Sequence, residues 1–239
     1  MARTLSAVAE LELATPYGPA RAHVHGKRKA AGALVLGHGA GGGVGARDLA
    51  AVTESALSEG MAVALVEQPY RVAGRRSPAP AAQLDAAWIA VVSELRTRGA
   101  VGDPVIVGGR SSGARVACRT AAQVGAAAVL CLAFPVHAPG KPDKTRLGEL
   151  DAVALPVLVV QGESDPFGMP PAGENRQVIA VKGNHSLAGD LDAVAAAVGE
   201  WLARIVPRTG AGSRAAVGAG STAAAPAGAA TRTGARRAR

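Results

Sequence analysis

VIVGGRSSGAR, residues 105–115, runs from three β-branched residues through two glycines to a serine and on into an Ala-rich segment. Val and Ile are stiff at χ1 and suit a pleated surface, so Val105–Val107 reads as a strand. The following stretch, Ser111–Gln123, has helical spacing of its apolar residues. Gly109 and Gly113 bracket Ser111 in a G-x-S-x-G pattern. Bare glycines let strand and helix approach closely and hold the middle residue on a tight, strained turn above the sheet edge. The positive end of a helix dipole at that turn favours developing negative charge. Ser111 is therefore the candidate nucleophile. In a chain with 31 glycines the pentapeptide alone is weak; its position between a strand and a helix gives it meaning.

Outward from this turn, apolar and β-branched runs recur at Ala33–Leu36, Ala62–Val66, Ala127–Phe134, Val157–Val160 and Gln177–Val181. Helical stretches fall between or after most of them, at Arg47–Ser58, Ala81–Thr97 and Leu187–Ile205. Alternating strands and helices imply crossover connections and a mostly parallel sheet covered on both faces. An opening pair, Ala9–Ala14 and Ala20–Val24 across Pro-Tyr-Gly-Pro, reads as an antiparallel edge hairpin, making about eight strands. Between Phe134 and Val157 the chain is too short for a large cap domain. After Pro207 only small residues and arginines remain, so residues 1–206 read as one α/β domain and 207–239 as a disordered basic Ala/Gly/Arg-rich tail.

A serine attacks only when a base takes its proton, and in an open α/β sheet the partners are sought at strand ends, in the order acid then base. Asp165 in VLVVQGESDPFG and His185 in VIAVKGNHSL follow two neighbouring strands in that order. Each also has an ordinary reading: Asp165 before a proline opens a turn, and His185 caps the last helix. His23 and His25 fall in the edge hairpin, His38 precedes the serine, and His137 follows the strand at 128–134. Glu163 is the substitute acid. A third strand ends in LVLGHGAGGG, residues 34–43, where a bare backbone can aim N–H groups at an oxyanion. The oxyanion hole is assigned to the N–H groups of Ala40 and Ser112, and His38, Gly39, Gly41 and Arg110 are expected to contact substrate. No phosphate-loop ending follows these glycines, so no nucleotide cofactor is expected, and no metal-ligand spacing is seen.

The formal charge of +8 is concentrated in the tail, whose six arginines and absent acids leave +2 for residues 1–206. A basic tail without aromatic residues has nothing to stack on bases, so nucleic acid is not the expected partner. Cys118 and Cys131 form no metal or disulfide pattern and read as buried free thiols in a reducing compartment. Glu10 and Glu12 interrupt any export signal, and the longest apolar run is too short to span a bilayer, so a cytoplasmic protein acting on a small molecule is expected.

GHGAGG (37–42), EQPYRVAGRR (67–76), GGRSSGARVACR (108–119), FPVHAPGKPDKTR (134–146), QGESDPFG (161–168) and GNHSL (183–187) together resemble the dienelactone-hydrolase-like branch of the α/β-hydrolase superfamily. Within it the chain is similar to small bacterial proteins related to the NSL-complex scaffold subunit of animals. The resemblance spans about residues 10–205. It implies an α/β-hydrolase fold, Ser111 as nucleophile, Asp165 as acid, His185 as base and an oxyanion turn at His38–Ala40. Ser112 stands where the pattern has Met or another large residue, and Ala114 where it has Gly. The expected activity is a serine hydrolase acting on a small ester, thioester or lactone through an acyl-enzyme. Because the family includes scaffold members, the alternative is a binding protein with a vestigial site. Arg71, Arg75 and Arg76 form either an anion-recognising rim or, the preferred reading, a solvated loop paired with nearby acids. Lys27, Arg28 and Lys29 read as a polar connection.

Overall fold

Residues 9–27, 29–138 and 140–206 are described by a computed structural model of the chain; the basic tail, Arg28 and the first eight residues lie outside them. The edge hairpin forms as read: β1 (Ala9–Leu13) pairs antiparallel with β2 (Ala20–His25). Thereafter strands and helices alternate: β3 (Ala33–Gly37), α1 (Arg47–Ser58), β4 (Ala62–Glu67), the short α2 (Pro69–Val72), α3 (Ala81–Thr97), β5 (Val105–Arg110) and α4 (Ser112–Thr120). Next come β6 (Ala128–Leu132), the short strands β7 (His137–Ala138) and β8 (Lys141–Thr145), α5 (Leu147–Asp151), β9 (Val157–Gly162), β10 (Arg176–Val181) and α6 (Leu191–Ile205). Eight strands make one sheet in the order β1-β2-β4-β3-β5-β6-β9-β10, parallel from β4 to β10. β7 and β8 form a separate antiparallel ribbon.

The period of two along each strand divides the core. Val35, Ala64, Val107, Val129 and Val159 face Trp88 and Leu95 of α3 and Val116 of α4. Leu34, Leu36, Ile106, Leu130 and Leu158 face Leu49 and Val52 of α1 and Val198, Trp201 and Leu202 of α6. Helices thus cover both faces, and among the described residues no large cap is inserted. Burying each of these aliphatic side chains contributes about 1.5–3 kcal/mol before chain entropy is counted, so the central strands are the most firmly held part of the molecule.

Several boundaries differ from the sequence reading by one to four residues. The last helix begins at Leu191, not Leu187, because Asp190 caps it by accepting the Ala193 N–H at 2.9 Å. His185 is therefore free of any capping duty. Helix α4 stops at Thr120, three residues early, and the segment after Phe134 folds into the β7–β8 ribbon and α5 where only a loop was read. Cys118 and Cys131 are buried free thiols as read, with sulfurs 3.5 Å apart. Among the described residues no helix is long and apolar enough to cross a membrane.

Candidate active site

The turn at the end of β5 holds Ser111 at φ +53°, ψ −105°, a conformation that costs a non-glycine residue on the order of 1–3 kcal/mol. It persists because both sides of the turn are tied: the Ser111 N–H donates to the Leu132 carbonyl at 2.9 Å, and its carbonyl accepts from Arg115 N–H at 3.2 Å. The flanking glycines serve close approach. A Cβ on Gly109 or on Gly113 would overlap the Gly37 carbonyl at the end of β3, so the elbow and the glycine turn after β3 touch through bare backbone. A valine at 113 is expected to unfold this junction, read as a drop in thermal midpoint against the wild type.

His185 stands over Ser111, with Nε2 2.9 Å from the serine Oγ and Nδ1 2.8 Å from Asp165 Oδ2. With a carboxylate at Nδ1, that nitrogen carries the proton and donates, which leaves Nε2 to accept from the serine hydroxyl. The Asp165 side chain is 1% exposed, and every neighbour of its carboxylate is a donor. Oδ1 accepts the Phe167 N–H at 2.9 Å, so the residue also opens the turn it was read to open; Oδ2 accepts Gln161 Nε2 at 2.9 Å. Gln161, fully buried at the end of β9, further donates to the Phe134 and Gly168 carbonyls. It was missed from sequence, although a lone amide closing the apolar run VLVV was its signal. Phe167 was missed too: its ring meets that of His185 edge-on, with centroids 4.4 Å apart. His137 reaches Phe167, not Ser111. His23 pairs with Glu67 on the hairpin side, and Glu163 is exposed.

His38 follows the end of β3. Its ring is 3% exposed and both nitrogens are occupied by backbone: Nε2 accepts the Gln68 N–H at 3.2 Å, and Nδ1 donates to the Gly39 carbonyl at 2.8 Å. It clamps the turn that carries Gly39 and Ala40. The Gly39 carbonyl and the Ala40 N–H belong to one trans peptide and point opposite ways, so anchoring the carbonyl aims the N–H away from His38. The next peptide is held by Tyr70, whose hydroxyl donates to the Ala40 carbonyl at 2.9 Å and whose pKa burial pushes up to about 12. Ser112 opens α4, where no carbonyl one turn earlier is available to its N–H.

Burial lowers the His38 pKa below its ordinary 6.5, against a smaller opposing effect of the Gly39 hydrogen bond. The unfolded chain then binds the proton more tightly, so the His38 contribution to stability is complete above about pH 6.5 and is lost as the pH falls. His25 acts in the same direction. Thermal midpoints between pH 7.5 and 5 are expected to fall less steeply for His38→Asn than for the wild type; parallel curves would exclude this role.

Of the remaining expected contacts, Gly41 is exposed and Gly39 is buried under Arg110. Arg110 turns inward, its Nε 2.9 Å from Asp48 Oδ2 and its Nη2 donating to the His185 carbonyl at 3.0 Å. Two of its three nitrogens are thereby taken by the protein. The loop arginines also depart from expectation. Arg71 donates to the Arg75 carbonyl, and among the described residues no ion pair involves Arg71, Arg75 or Arg76. The nearby acids, Glu67 above all, are taken by Arg21 and His23.

Residues 30–190 match the model of a family described as an alpha/beta hydrolase domain. In fold the chain is similar to a lidless α/β serine hydrolase from Xanthomonas campestris (20% identity, 84% of this chain and 96% of that one, TM-score 0.69). It is likewise similar to Est1E from Butyrivibrio proteoclasticus (16%, 82% and 98%, 0.68). The esterase Pf2001 from Pyrococcus furiosus is a third such structure (15%, 84% and 92%, 0.70). At these identities the likeness is one of fold. No curated protein sequence matches the chain significantly.

Proposed function

From the premise that the chain belongs to the alpha/beta hydrolase domain family, we propose that it is a serine hydrolase acting on a small ester, thioester or lactone. The observation that carries the reading is the continuous hydrogen-bonded line from the Ser111 hydroxyl through both nitrogens of His185 to a buried carboxylate, at 2.9 and 2.8 Å. His185 takes the hydroxyl proton as Ser111 Oγ bonds to the acyl carbon, and Asp165 holds the ring and stabilises the imidazolium that forms. The tetrahedral oxyanion is received by the N–H groups of Ala40 and Ser112. His185 then returns the proton to the leaving alcohol, thiol or ring oxygen, leaving an acyl ester on Ser111. Water, deprotonated by the same imidazole, releases the acid.

Two features support a small substrate. Among the described residues no large cap follows β6 to enclose a long chain, and Phe167, half-exposed beside the base, offers one apolar face of limited size. A fluorophosphonate probe should label the full-length protein in a single adduct located by mass spectrometry at Ser111. A panel of short acyl esters, thioesters and lactones should contain a substrate whose turnover the probe abolishes. A folded protein that neither reacts with the probe nor turns over any of the panel would leave the scaffold alternative standing.

A further inference from the structure

Arg110 occupies the second position of G-x-S-x-G, and its guanidinium meets three parts of the molecule that lie outside its own strand and helix. Its Nε lies 2.9 Å from Oδ2 of Asp48 on α1, a side chain 1% exposed whose other oxygen accepts the Leu49 N–H at 3.0 Å. Its Nη2 donates to the carbonyl of His185. Its Nη1 lies 2.8 Å from where a Cβ on Gly39 would stand, so it packs on the turn that carries Ala40. Its own backbone is the residue before Ser111.

These contacts leave the planar fork facing inward. A guanidinium that recognises a substrate carboxylate presents two parallel N–H groups outward, whereas here Nε and Nη2 are both committed to the protein. The link to His185 matters most. Among the described residues it is the one hydrogen bond made by the His185 backbone. The loop around it is irregular, with Gly183 at φ +125° and Leu187 at φ +54°, so no regular ladder fixes the base. Asp48 in turn fixes the guanidinium and balances its charge beside an imidazole that must become positive. Without Arg110 the buried Asp48 carboxylate is uncompensated.

We propose that Arg110, anchored by Asp48, is a positioning residue that sets the His185 loop and the Gly39–Ala40 turn at their working distances from Ser111. This rests on the reading of Ser111 as nucleophile and His185 as base. A guanidinium bridging loop, turn and elbow keeps Nε2 on the hydroxyl through both halves of the reaction. Lysine, with one compact ammonium, cannot span the same three partners.

The test uses the full chain, hydrolysis of p-nitrophenyl acetate and the rate of fluorophosphonate labelling. Arg110→Ala is expected to slow both by about 10- to 100-fold, the scale of a catalytic group displaced by roughly 1 Å, with KM unchanged. Millimolar guanidinium should recover part of the loss, and Arg110→Lys should recover little. Circular dichroism checks the fold; should Arg110→Ala not fold, the Arg110→Gln/Asp48→Asn double variant, which leaves no buried unpaired charge, carries the same expectation. Labelling of the variant at the wild-type rate, a rise in KM with kcat unchanged, or a loss that guanidinium does not relieve would each overturn the proposal. Wild-type protein that the probe does not label defeats the nucleophile reading, and this one with it. Labelled wild type beside an equally reactive Arg110→Ala defeats this one alone.

Discussion

Ser111→Ala is expected to lower kcat on any substrate found in the ester panel by a factor on the order of 10⁶ and to abolish fluorophosphonate labelling. The size follows from the geometry around the hydroxyl. Among the described residues Ser111 Oγ is the one hydrogen-bond partner of His185 Nε2, so with Oγ gone the base has no proton to take and the acyl carbon no nucleophile to meet. What survives is binding and the oxyanion N–H groups. The fold should not change: alanine keeps the Cβ that Ser111 already carries at φ +53°, and the two backbone hydrogen bonds that hold the turn do not involve the side chain. An unchanged thermal midpoint with turnover lost is the expected pair of results. Residual activity above about one per cent of wild type would place the nucleophile elsewhere.

Substitution of Asp165 should also remove most of the activity, with a difference between two substitutions. Asp165→Ala removes the acceptor of the His185 Nδ1 proton and leaves the ring free to turn or change tautomer; a loss of about 10⁴-fold in kcat is expected. Asp165→Asn keeps one oxygen and gains a donor. On the Oδ2 side two donors wait, Gln161 Nε2 and His185 Nδ1, and on the Oδ1 side there is one, the Phe167 N–H. Gln161 cannot answer by turning over its amide, because its nitrogen also serves the Phe134 and Gly168 carbonyls. The asparagine oxygen is therefore held toward His185, and its nitrogen faces the Phe167 N–H at a cost of about 1–3 kcal/mol in stability. The correct tautomer is kept while the charge that stabilises the imidazolium is lost. The kcat of Asp165→Asn should thus lie above that of Asp165→Ala, with a lower thermal midpoint than the wild type. Equal kcat values for the two variants would show that Gln161 does not orient the amide.

The sequence reading found the strands and helices because their signals are local. Continuous runs of Val, Ile and Leu mark β3, β5 and β9, and the glycines around Ser111 mark a turn whose close contact with Gly37 needs no Cβ. It missed α2, α5 and the β7–β8 ribbon, all five residues or fewer, too short for a period to show. It misplaced the start of the last helix because Leu187 is apolar, although its φ of +54° puts it outside any helix.

For the candidate site, residue types and chain order were enough to choose Ser111, Asp165 and His185, since the chemistry admits few side chains and the parallel topology brings successive strand ends to one edge. That much the amino-acid sequence determined alone. Which partner each side chain takes was decided by the tertiary structure. His38 and Arg110 are both polar residues beside the reacting groups, and nothing in their neighbours along the chain distinguishes a substrate contact from a clamp. Their partners, the Gln68 N–H and the Asp48 carboxylate, come from other elements. Hydrogen bonds act over about 3 Å regardless of sequence separation, so pattern along the chain reveals which element forms but not which atom it meets.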